Sequence, residues 1–195
     1  MKTLYTIGHS THPTDHLLHL LVMHEITAVA DVRSSPYSRH NPQFNRETLQ
    51  KSLRGAGLEY VFLGKELGAR SEDPACFADG KLQFERLART ELFRTGLARL
   101  RRGMESYRVA LLCAEKDPTA CHRMLLVCRN IRQEGLTIEH ILEDGSLEDN
   151  AHAERRLMQS LGMQENNLFA ARGELIERAY DMQGRKIAYE EKKDE

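Results

Sequence analysis

The chain alternates short apolar runs with stretches whose apolar residues recur at helical spacing, and no other feature constrains its fold as strongly. Leu4–Ile7 reads as a first strand, ending at Gly8-His9-Ser10. Pro13 to His24 follows with Leu17, Leu20, Leu21 and His24 on one helical face, and Pro13 suits a helix start. "ITAVADVRS", rich in β-branched residues, is a second strand that ends at Arg33; a polar loop with two prolines covers residues 34–45. Arg46 to Ala56 is helical and stops at Gly57, and "EYVFLG" is a third strand. Residues 64–80 are irregular. Lys81 to Gly103 reads as helix, broken near Thr90, which would cap a second segment. "RVALLCAE" is a fourth strand, continuously apolar in its middle and so buried on both faces. Cys121 to Glu134 is helical up to Gly135, "TIEHIL" is a fifth strand, and Leu147 to Leu161 is a helix stopped by Gly162. Leu175, Ile176, Ala179, Met182, Lys186 and Ile187 mark a last helix.

Strands and helices in this order mean βαβ units. The expectation is a single α/β domain over residues 1–163, with a mainly parallel five-stranded sheet and helices on both faces. Residues 164–195 form a C-terminal helical extension and charged tail packed on that domain. In open sheets of this kind ligands bind beyond the carboxyl ends of the strands, so the residues after each apolar run are the ones to inspect.

Bulk charge narrows the partners. Basic residues number 28 and acidic residues 29, a net charge of −1, so no global basic excess indicates nucleic acid or an anionic membrane, and only a local patch is left open. No stretch approaches a transmembrane span, and MKTLYTIGHSTH lacks the apolar run of a signal peptide; the reading is cytoplasmic. In a reducing compartment Cys76, Cys113, Cys121 and Cys128 are expected as free thiols. Without a CxxC pair, neither a metal nor another cofactor is expected.

The strand ends collect a dense set of chemistry-bearing residues: His9 and Ser10, then Arg33, Tyr37, Arg39 and His40, then Gly64 and Gly68, then Glu115, Cys121, His122 and Arg123. Arg33, Arg39 and Arg123 suit bidentate recognition of carboxylate or phosphate, and the two glycines would let backbone approach a ligand. The bland alternative pairs these arginines with Asp31, Glu66 and Glu115 as structural ion pairs. Cys113, near the end of a buried strand, and Cys128 read as core. Cys121 differs: with Asp117-Pro118 as cap and first helical residue, it falls in or beside the first turn, where the helix dipole favours a thiolate. The competing reading packs Cys121 inward and leaves Arg123 alone to meet the ligand. GHSTH is not a nucleophile elbow, and there is no GxGxxG and no P-loop. A zinc set of Cys113, Cys121, His122 and His9 is disfavoured by placing Cys113 in a buried strand.

Four ordered segments, "YTIGHST", "DVRSSPYSRHNPQF", "YVFLGKELGAR" and "LLCAEKDPTACHR", resemble the bacterial and archaeal family called domain of unknown function 488, as does "AYDMQGRKIAY" near the end. The chain departs from that pattern at Lys65-Glu66, where a plainer Gly-rich segment is usual. The resemblance implies one α/β domain with a shared pocket at His9, Arg33, Pro36, Arg39, Gly64, Gly68, Glu115, Cys121, His122 and Arg123, and no established reaction.

Two functions follow as expectations. The first is an enzyme acting on an anionic, phosphate- or nucleotide-like substrate. Arg33, Tyr37, Arg39, Arg123 and Ser10 would bind it, with Cys121 as nucleophile or His9 or His122 as acid–base, and Glu115 orienting Arg123 or a histidine. The second is a non-catalytic module that binds a nucleotide, a nucleic-acid end or an acidic partner in the same pocket.

Overall fold

The computed structural model describes residues 2–132, 135–163 and 171–190. The first half runs β1 (Lys2–Gly8), α1 (Thr14–Met23), β2 (Ala28–Asp31), α2 (Arg46–Gly55), β3 (Glu59–Phe62) and α3 (Gly64–Leu67). A small hairpin of β4 (Phe77–Ala78) and β5 (Lys81–Leu82) leads into α4 (Phe84–Ala88) and α5 (Glu91–Ser106). The second half holds β6 (Val109–Cys113), α6 (Arg129–Ile131), β7 (Leu136–Ile141), β8 (Leu147–Asp149), α7 (Asn150–Ser160) and α8 (Arg172–Ile187). None of these helices is long and apolar enough to cross a membrane.

The main sheet has the order β3-β2-β6-β1-β7-β8. The first five of these strands are parallel neighbours, and β8 pairs antiparallel with β7. The α/β architecture is as expected, but the sheet has six strands rather than five. Leu147–Asp149, expected as the start of a helix, is instead the edge strand β8. Its pattern is inverted: Leu147 is exposed while Glu148 is buried, because Arg156 and His152 pair with the Glu148 carboxylate. A buried acid hides a strand from any hydrophobic count. Helix α7 therefore begins at Asn150, with the Asp149 side chain accepting from His152 N–H at 2.9 Å.

Helices cover both faces. Leu17, Leu20 and Leu21 of α1 and Leu49 and Leu53 of α2 pack with Val29, Ala110 and Leu112 on one face. On the other face α5, α6, α7 and α8 pack against Leu4, Ala30, Val109, Leu111 and Cys113. Strand β6 shows the period-2 logic directly: residues 109, 111 and 113 face one layer, and 110 and 112 the other. The expected break near Thr90 is present, and its hydroxyl accepts from Phe93 N–H as the cap of α5. The single helix expected from Lys81 is shorter, since Lys81–Leu82 is strand β5. Helix α8 places Leu175, Ala179 and Tyr180 in the same cluster as β6. Residues 164–170 and 191–195 of the expected extension lie outside the described residues.

The helix expected from Cys121 to Glu134 also starts later. Pro118–Ala120 form a short 3-10 turn, capped by the Asp117 side chain. Cys121 is extended (φ −134, ψ 140), and Arg123–Cys128 then adopt a π-helical turn that runs into α6. The expected end at residues 133–134 lies outside the described residues.

Candidate functional site

Strand β6 lies between β1 and β2, so the connection that leaves β1 crosses over β6 to reach β2. Beyond the carboxyl ends of β2 and β6 opens a cleft of about 340 Å³. Arg33, Ser34 and Ser35, just after β2, form one wall. Phe84, Tyr189 after α8, and Arg70, whose guanidinium lies 4.8 Å from the Tyr189 ring centroid, line the cleft from another side. Cys113, Glu115 and His122 make the floor. A larger groove of about 440 Å³ runs along the β3 edge beside α5, but its lining holds no thiol and no imidazole.

Arg33 is pinned rather than free. Its Nε donates to Asp31 Oδ1 at 2.9 Å and its NH2 to Asp31 Oδ2 at 2.6 Å, a bidentate fork; its NH1 donates to His9 Nε2 at 3.2 Å. Asp31 also accepts from Tyr60 Oη at 2.9 Å. The structural ion pair expected as the bland alternative therefore exists, yet a guanidinium has five N–H donors and these bonds leave some of them facing the cleft. His9 donates from Nδ1 to Ser10 O at 2.8 Å and packs against Phe44 in a tilted arrangement, ring centroids 4.3 Å apart. Burial and the neighbouring Arg33 charge lower its pKa to about 4, so it is neutral, oriented and set behind Arg33 rather than in the cleft. Ser10 adopts φ 48, in the left-handed region, where the chain turns. Tyr37 is exposed and donates to Glu47 at 2.8 Å, and Arg39 is exposed on the same loop; neither lines the cleft.

Arg123 is fully buried and braces the main chain. It donates to the backbone carbonyls of Glu115 and Lys116 and, from Nε, to Thr6 Oγ1 at 3.2 Å. Thr6 shares its side of β1 with Leu4, which is why it meets Arg123 across the sheet. The guanidinium thus holds the turn that carries Glu115 instead of reaching a ligand. Glu115 takes part through its carbonyl, not its carboxylate.

That carboxylate turns onto the thiols. Glu115 Oε2 is hydrogen-bonded at 3.0 Å to Cys113 Sγ and at 3.0 Å to Cys121 Sγ. His122 Nε2 donates to Val32 O at 2.9 Å, so its Nδ1 faces Cys113 Sγ at 3.5 Å. Cys121 Sγ accepts from Arg123 N–H at 3.4 Å, at the start of the following helical turn. Burial opposes ionisation of Cys121, but the Cys113 hydrogen bond, the Arg123 charge and His122 outweigh it and hold this thiol well below its ordinary value. Burial and the adjacent Cys121 push Cys113 up, and burial with the same sulfur raises Glu115. Burial works against the His122 cation, yet the Cys121 contact raises it. Of the two thiols Cys121 is therefore the readier to ionise.

Arg33, Glu115 and His122 thus come together in the cleft, with Cys121 directly beneath. Cys113 is buried in the core, as expected, and also borders the floor. Arg70 was not singled out at all; it lies in an irregular stretch, and the chain leaving α3 brings it to the cleft beside Tyr189. The glycines after β3 admit protein rather than ligand. A Cβ on Gly64 would lie 2.0 Å from Arg33 O, and one on Gly68 would lie 2.4 Å from Ser34 Oγ.

A family described as Domain of unknown function DUF488 matches residues 14–129, more than half of the chain. The match takes in Arg33, Arg70 and the whole stretch from Cys113 to Arg123. No curated protein and no solved structure matches the chain.

Proposed function

The chain belongs to the DUF488 family, whose description assigns no reaction, and from that premise we propose that it is an enzyme acting on a small anionic, phosphate- or nucleotide-like substrate held in this cleft. The observation that supports the reading is the opposition, within about 340 Å³, of a guanidinium wall to a thiol–imidazole–carboxyl floor. Arg33 and Arg70, with the Ser34 and Ser35 hydroxyls, bind the anion. Tyr189 and Phe84 offer an apolar wall to the rest of the substrate, and the floor supplies the reacting groups. A purely binding module would need the wall but not the floor, and for that reason catalysis is the preferred reading.

The test is binding first and turnover second. Thermal shift and calorimetry with inorganic phosphate, phosphomonoesters and nucleotides are expected to show a raised Tm for at least one of them. Arg70→Ala is expected to weaken that binding about tenfold or more, because the exposed Arg70 does not share the buried Asp31 pairing of Arg33. Absence of any shift across the panel, or an Arg70→Ala protein that binds as tightly as the parent, overturns the proposal.

A further inference from the structure

The residues Cys113, Glu115, Cys121 and His122 come from one ten-residue stretch, folded so that one donor atom from each lies within 4.8 Å of the others. We propose that Cys113, Cys121 and His122 bind a zinc ion, with Glu115 occupying a fourth position that faces the cleft. The donor set is the first argument. Two sulfurs and an imidazole form a soft, borderline set that favours zinc over magnesium or calcium. One carboxylate completes four-coordination, the number zinc takes in most proteins.

The distances are the second argument. A tetrahedron with Zn–S of about 2.3 Å and Zn–N of about 2.0–2.1 Å has an S···N edge of roughly 3.6 Å. Cys113 Sγ and His122 Nδ1 are 3.5 Å apart. The two S···O edges are 3.0 Å, the spacing of a proton-mediated contact, and they need about 0.5 Å of expansion to reach tetrahedral values. Glu115 is the exposed member of the set, so its flexible side chain can supply that movement. Loading exchanges protons for metal: the two sulfurs and the carboxylate coordinate as anions, and any protons they carry pass to water.

Support around the ligands is the third argument. The Val32 carbonyl accepts from His122 Nε2, which orients the ring and leaves Nδ1 as the metal-facing nitrogen, as outer-shell partners of zinc-bound imidazoles do. The Arg123 N–H aims at Cys121 Sγ. The buried Arg123 guanidinium fixes the Glu115 and Lys116 carbonyls and lies where it offsets the negative charge of a two-thiolate, one-carboxylate site. From the other side Arg156 clamps both oxygens of Asp117, the cap of the turn between Glu115 and Cys121. The loop is therefore held in its ligating shape by groups that are not themselves ligands.

Cys121 is fully buried, Cys113 and His122 only edge onto the floor of the cleft, and Glu115 is the exposed member. Three fixed ligands with an exchangeable fourth is the layout of catalytic rather than structural zinc. The metal site stands on its own geometry. Its exchangeable position rests on the anion-binding reading of the cleft, since a substrate oxygen entering there would replace Glu115.

Metal analysis of the full chain, purified without chelator from zinc-supplemented cells, is expected to give one zinc per chain. After removal of zinc, Co2+ is expected to produce an intense near-ultraviolet thiolate-to-cobalt band and strong visible bands of four-coordinate cobalt. Cys113→Ser and Cys121→Ser are expected to lose or strongly weaken the near-ultraviolet band, whereas Glu115→Gln keeps it and shifts the visible bands. The wild-type measurements do not depend on whether the serine variants fold. Zinc well below one per chain together with no thiolate–cobalt band overturns the site, and a Cys113–Cys121 disulfide in the freshly purified protein overturns it as well. Phosphate added to the cobalt form separates the two readings: a change in the visible bands supports exchange at the Glu115 position, and phosphate binding with no such change overturns that exchange.

Discussion

Gly8 ends β1 where the chain meets the Glu115 turn: a Cβ there would lie 1.9 Å from Glu115 O and 2.9 Å from Lys116 Cα. Main chain cannot retreat as a side-chain tip can. Gly8→Ala is therefore expected to cost about 1–3 kcal/mol in urea unfolding and to displace the turn that carries Glu115. A second residue, His140, is buried in a polar chain that starts at Arg123. Thr6 Oγ1 accepts from Arg123 Nε and donates to His140 Nδ1 at 2.8 Å, and His140 Nε2 donates to Asn150 Oδ1 at 3.3 Å. Burial and the Arg123 charge lower the His140 pKa to about 4. In the unfolded chain a histidine titrates near 6.5, so between about pH 6.5 and 4 the unfolded state binds the extra proton. Stability is full above pH 6.5 and falls with acid through that window, by about 2 kcal/mol from this group between pH 7 and pH 5. Denaturant midpoints at the two pH values should show the loss, and His140→Gln should reduce it; an equal loss in both proteins would refute the assignment.

Helix α8 docks through charge as much as through apolar contact. Glu154 of α7 is buried, and its Oε1 accepts from Arg132, from Asn150 and from Tyr180 Oη. Arg129 adds bonds to Glu177 and Asp181 of α8. Glu154→Gln keeps the shape but removes the charge these donors converge on, and is expected to cost about 2–3 kcal/mol. Hydrogen exchange over Arg172–Ile187 is expected to accelerate, whereas β6 is not expected to change selectively. The π-helical turn at Arg123–Cys128 was beyond sequence reasoning, since its apolar residues satisfy an α-helical pattern equally well. Helix α7 was displaced for a related reason: its expected first residues form β8, where burial of Glu148 reverses the usual pattern.

The cleft draws one wall from the segment after β2, its floor from the end of β6 and the segment after it, and the rest of its lining from Arg70, Phe84, Ile187 at the end of α8 and Tyr189 beyond it. Leu175, Ala179 and Tyr180 of α8 share one apolar cluster with β6 and α5, so fold and site are expected to be lost together. Far-ultraviolet and tyrosine near-ultraviolet signals should trace one coincident unfolding transition. An earlier, separate loss of α8 would contradict a shared core. Such a loss would also open the Tyr189 side of the cleft.

Hydrophobic periodicity was enough to establish parallel strands with helices on both faces, the approximate ends of the five parallel strands, and so the neighbourhood of Arg33, Glu115, Cys121 and His122. These follow from local patterning and the topology rules that go with it. Which side chains enter the cleft is a different kind of fact, because it depends on register between distant strands. Cys113 is core, as its apolar strand implies, but as the last residue of β6 it also faces the side on which Cys121 and His122 return. Arg123 looked like a ligand group because arginine binds anions, yet Thr6, more than a hundred residues earlier, and two backbone carbonyls receive its donors. A residue's type states what it can bond to, whereas packing between distant segments settles what it does bond to.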